Sequence, residues 1–162
     1  MVDPEPPAGE PEMVVASVRV PDWAWEAFSH DKKRHITQAE LLATVCAFYT
    51  LGSRLRGRAV MHWGDNTGAV ATAIGGVPRF AGAAVLVCML FLALLRLRCN
   101  VYFDWVPTAA NPADWPTRPE RTAMIPAAAR RVPMRLPPQY LFRSIMTAEA
   151  VLHWVRALSD WP

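Results

Sequence analysis

The stretch GRAVMHWGDNTGAVATAIGGVP, residues 57–78, decides the fold. Ala59-Val60-Met61-His62-Trp63 is short and apolar, and it stops at Gly64-Asp65-Asn66, the signature of a strand ended by turn residues. From Asn66 the spacing changes: Ala69, Val70, Ala71, Ala73 and Ile74 fit a short helix closed by Gly75-Gly76, and Pro78 opens the next element. That element is an apolar helix, Phe80 to Leu95, and the run Asn100 to Val106 behind it is a strand ended by Pro107. Strand, helices, strand is the order that yields parallel neighbours, because a parallel pair needs a crossover of a dozen or more residues.

Upstream, Ile36-Thr37-Gln38-Ala39-Glu40 opens a helix in which Thr37 is the N-cap and Glu40 its capping-box partner, with Leu41, Val45, Phe48 and Tyr49 at helical spacing. The helix is expected to end near Gly52. Met13 to Val20 reads as one strand stopped by Pro21, and Asp22 to His35 as a Trp-rich, then charged connector. Thr108 to Pro138 is a Pro- and Arg-rich connector, and Thr147 to Leu158 a last amphipathic helix. The expected organisation is an acidic, Pro-rich leader over 1–12, a domain over 13–118, and a connector with a C-terminal helix over 119–162. The fold class is α/β, a layered arrangement that puts strand ends and helix starts on one rim, where sites usually lie.

A chain of 162 residues that is 52% hydrophobic can bury a core, which excludes wholesale disorder. The net charge of +3 hides an asymmetry: one basic and six acidic residues up to His30, then 16 basic and 8 acidic, give −5 and +8. A cationic body with interspersed Trp suits a polyanion such as nucleic acid. Cys46, Cys88 and Cys99 form no CxxC pair, so they read as buried thiols in a reducing, intracellular compartment, and the N-terminus has no export signal. Phe80 to Leu95 carries no charge, but its 16 residues fall short of the roughly 20 that cross a bilayer, so a core helix is the expectation and a membrane-associated protein the alternative.

Three acids fall on the expected rim: Glu40 on the first helix, Asp65 at the end of the following strand, Asp114 after the last one. Three converging carboxylates are a hard-oxygen donor set suited to Mg²⁺. Each also has a plainer reading, Glu40 as a capping partner, Asp65 as a helix cap and Asp114 as a turn former. The runs Ile36-Thr37-Gln38-Ala39-Glu40-Leu41-Leu42-Ala43, Gly57-Arg58-Ala59-Val60 leading to Asp65-Asn66, and Trp105 to Asp114 with Thr117-Arg118 together resemble the ribonuclease H-like domain of retrotransposon reverse transcriptases. The resemblance covers about Ile36 to Arg118.

The resemblance implies a three-layer fold, a mixed sheet with flanking helices, and cleavage of the RNA strand of RNA–DNA hybrids by two Mg²⁺ ions held by Glu40, Asp65 and Asp114. Asn66, Arg54, Arg56 and Arg58 are the candidate nucleic-acid contacts, with a helix cap and a solvated loop as their plainer readings. The family has a fourth acid on its first strand. Here Asp3 is followed by Pro4 with no apolar run around it, and Asp22, Glu26 and Asp31 lie too close to Glu40. Met13 to Val20 then reads as the third strand, leaving the first strands missing or supplied by another segment. A non-catalytic nucleic-acid-binding relic is therefore the alternative to an enzyme, and other domains of a retroelement polyprotein are possible partners.

Overall fold

The computed structural model describes residues 12–28, 32–78 and 81–137. Its centre is a parallel pair, β2 (Ala59–Gly64) beside β3 (Asn100–Trp105), in register from Ala59 opposite Asn100 to Gly64 opposite Trp105. The crossover between them is two helices, α3 (Thr67–Gly75) and α4 (Ala81–Leu97). As the sequence predicts, Asn66 caps α3 through its side chain and Gly76 ends it in the left-handed region at φ 63°. A Cβ on Gly76 would also stand 3.3 Å from the Phe91 ring, so both backbone and space favour glycine there.

The helix before β2, here α2, spans Lys32–Leu55 and packs along α4. It buries Leu41, Leu42, Val45, Cys46 and Phe48, while α4 presents Ala83, Leu86, Met89, Leu90, Ala93 and Leu97 to the same core. Val60, Val101 and Phe103 pack on that core from the sheet, so helices cover one face of β2–β3. Cys46, Cys88 and Cys99 are free thiols, and burial pushes Cys46 up to about 12.

Several expectations are corrected. The first helix starts at Lys32, not at Thr37, because Lys32-Lys33-Arg34-His35 continues a helix as readily as it could precede one. Thr37 is thus no N-cap, and the capping box with Glu40 does not form. Gly52 does not end the helix either; it is buried inside it, where its lack of a side chain suits close packing. The Trp-rich connector contains a short helix, α1 (Asp22–Ala27), that buries Ala24.

Of the strand expected over Met13 to Val20, only β1 (Val14–Val15) forms, parallel to β4 (Arg130–Arg131) from within the supposed connector. The described residues therefore hold two separate parallel pairs in place of one mixed sheet. The rest of the connector is three 3₁₀ turns, Thr108–Ala110, Pro112–Thr117 and Pro119–Met124. Glu12, assigned to the leader, is ion-paired with Arg54 at 2.6 Å and Arg130 at 2.9 Å. The helix expected over Thr147 to Leu158 lies outside the described residues. No helix among those described is long and apolar enough to cross a membrane.

The two sides of α4 differ sharply, since Leu90 is fully buried and Leu95 is 73% exposed. Leu90→Ala should cost about 3 kcal/mol in urea unfolding and Leu95→Ala less than about 0.5 kcal/mol. Equal losses at the two positions would contradict this one-sided packing.

Candidate metal centre at the carboxyl rim

Because β2 and β3 are parallel, the chain leaves both at the same rim, and the two exits are tied together. The Val106 amide donates to the Gly64 carbonyl at 3.0 Å, and the Trp105 indole N–H donates to the Asp65 carbonyl at 3.1 Å. This holds the backbone at Asp65 against the last strand. Two residues after Val106 the first 3₁₀ turn begins, and the buried Asn111 accepts from the Ala113 amide at 3.1 Å, capping the next turn, which carries Asp114. Thr117 then donates to the Asp114 carbonyl at 3.1 Å.

Glu40 reaches the rim from α2. Thr37, one turn before it, donates its hydroxyl to the Asn66 side-chain oxygen at 3.4 Å, and the same oxygen accepts from the Ala69 amide at 2.9 Å. Asn66 thus caps α3 and links it to α2, which favours the cap over a substrate contact. Gly68 sits against this junction: a Cβ there would come within 3.2 Å of Asn66 Oδ1 and 3.3 Å of Thr37 Oγ1.

The electrostatics of Glu40 report the convergence. Its carboxyl is raised above the ordinary 4.5, first by burial and then by the charges of Asp65 and Asp114. Acids 25 and 74 residues further along the chain therefore act on one carboxyl group. They do not close into a ready-made cage. Among the described residues no three His, Cys, Asp or Glu side chains stand where they could hold a metal ion, and Arg118 pairs with Asp114 at 2.7 Å.

A cavity of about 390 Å³ opens beside Glu40 and Asp114, with Asn66, His62, Val14 and Leu136 among its walls. His62, read in the sequence only as part of the strand, borders the cavity. It lies between Phe48 and Phe103, centroids 6.3 and 5.2 Å away, and its buried Nδ1 has no hydrogen-bond partner among the described residues. Burial accordingly lowers its pKa. Alternation along β2 was the one available signal, since it puts His62 on the same face as Val60. The Arg118 pairing is not read from the sequence, although its spacing of four residues from Asp114 lets opposite charges meet.

Of the candidate nucleic-acid contacts, Arg54 is ion-paired with Glu12. Arg56 and Arg58 are exposed, but they enter the opposite end of β2 from the carboxylates. Asp104, within β3, accepts from the Trp105 amide at 2.8 Å. Searches of family descriptions, curated proteins and solved structures find no match to this chain.

The three carboxyl groups are hard-oxygen donors, and Asp65 and Asp114 add to the effect of burial in raising the Glu40 carboxyl. In the absence of metal the folded state keeps the Glu40 proton to higher pH than the unfolded chain does, so stability falls as pH rises through the window above 4.5. Glu40→Gln should remove that loss, raising the metal-free melting temperature at neutral pH by on the order of 2 °C. Below pH 4.5 the two proteins should converge. A variant that melts lower than the wild type at neutral pH would show that the carboxylates do not repel.

Proposed function

We propose that this chain is a retroelement-derived, ribonuclease H-like module that cleaves the RNA strand of RNA–DNA hybrids with the help of Mg²⁺. The observation that carries the proposal is that Glu40 and Asp114 line one cavity at the rim where the parallel strands end and Asp65 follows, in the α/β order that the resemblance implies. Mg²⁺ bound there would activate a water and stabilise the leaving oxygen of a phosphodiester.

The remaining roles belong to the chain itself. Asp65 and Asp114 supply carboxylate oxygens from the two strand exits. Glu40, whose carboxyl is held above the ordinary range, is the one of the three best able to carry a proton in the metal-free state. Asn66, through Thr37, fixes how α2 meets α3 and so positions Glu40. Arg118 neutralises Asp114 in the resting protein, and the ion pair has to loosen for Asp114 to give both oxygens to a cation.

That ion pair favours a second reading, a module that binds hybrids through its basic body without cleaving them. The discriminating experiment is cleavage of a labelled RNA–DNA hybrid in Mg²⁺ by the folded chain. Cleavage is expected, with Asp65→Asn reducing it at least about 100-fold, since even residues that merely support a metal ligand cost 10–100-fold. A folded wild-type chain that binds the hybrid and leaves it intact would overturn the nuclease in favour of the binding module.

A further inference from the structure

The face of β2–β3 turned away from the helices carries a second feature. Val60, Val101 and Phe103 point into the core, so alternation sends Met61, Trp63 and Tyr102 outward. They are 54%, 50% and 62% exposed, an unusual amount of bare apolar and aromatic surface on one sheet face. The register sets Met61 directly opposite Tyr102, and Trp63 one step further along the neighbouring strand.

The near end of this face is basic. Arg58 leads into β2 and Arg98 into β3, and the two turns are joined where the Asn100 amide donates to the Arg58 carbonyl at 3.0 Å and the Gly57 amide to the Leu97 carbonyl at 2.8 Å. Arg56, Arg58 and Arg98 are all exposed. The one acid on the face, Asp104 opposite Trp63, has a carboxyl oxygen turned onto the Trp105 amide.

We infer that this face binds single-stranded nucleic acid, the bases stacking on Trp63 and Tyr102 and the phosphates running toward Arg56, Arg58 and Arg98. Strand spacing and residue rise put the two aromatic positions about 8 Å apart. That distance suits successive bases splayed from an extended strand and not the roughly 3.4 Å steps of a duplex. Aromatic side chains on adjacent strands of an open sheet are an established way to take up unstacked bases, and arginines beside them hold the backbone without regard to sequence. The site lies on a different surface from the carboxylate rim and does not depend on the chain being a nuclease.

The test is fluorescence anisotropy of a short fluorescein-labelled thymidine oligonucleotide, single-stranded and as a duplex, titrated with the full chain at several salt concentrations. The single strand should bind more tightly than the duplex. Trp63→Ala and Tyr102→Ala should each weaken it about tenfold, as expected for the loss of one stacked base, while Trp63→Phe keeps most of the affinity and Leu95→Ala, on the exposed side of α4, all of it. Arg58→Ala should lower the salt slope by about 0.7. Unchanged binding by folded Trp63→Ala and Tyr102→Ala, or preference for the duplex, would overturn the inference. So would sedimentation showing that Trp63→Ala turns a dimer into a monomer, since the face would then be a self-interface.

Discussion

The parallel pairing of Ala59–Gly64 with Asn100–Trp105 is the contact on which the rest of the molecule depends. Parallel strands cannot be joined by a tight turn, so the chain must cross over, and α3 and α4 are that crossover. Their apolar sides then require a partner, and α2 provides it. The same pairing sends both strand exits to one rim. Asp65 follows its exit directly, and Asp114 follows the other through the 3₁₀ turn that Asn111 caps.

The polarity of the pair also separates two chemistries. Asp65 and Asp114 follow the exits, with Glu40 brought to them by α2 and its carboxyl raised first by burial and then by their charges. At the entrances stand Arg56, Arg58 and Arg98 in exposed turns. Acidic and basic groups thus lie at opposite ends of the pair, and the outward face between them carries Met61, Trp63 and Tyr102. The net charge of the chain shows none of this, since +3 is a sum over opposed ends.

What the sequence made legible was local. Asn66 and Gly76 bracket α3 because a side-chain cap and a left-handed glycine act within a few residues. The two strands and α4 announce themselves by short apolar runs between turn residues. What it hid was long-range. Thr37 and Glu40 have the spacing of a capping box, yet the hydroxyl of Thr37 is used by Asn66, 29 residues away. The pairing of Val14 with Arg130 involves two residues on each side, too few to leave a periodic pattern. Arg54 looked free for nucleic acid because its partner Glu12 sits in a segment whose composition reads as a tail. The acids of the rim were found by type and order, while the ion pair that restrains Asp114 and the unpaired nitrogen of His62 emerged only with the fold.

The most direct test of the carboxylate rim as a cation site is an NMR titration of the chain with Mn²⁺, a paramagnetic substitute for Mg²⁺. The account predicts that the first amide signals to broaden are those around Glu40, Asp65 and Asp114, with those of Gly57 to Ala59 at the far end of β2 unaffected. Broadening centred elsewhere, or none at the rim, would contradict it.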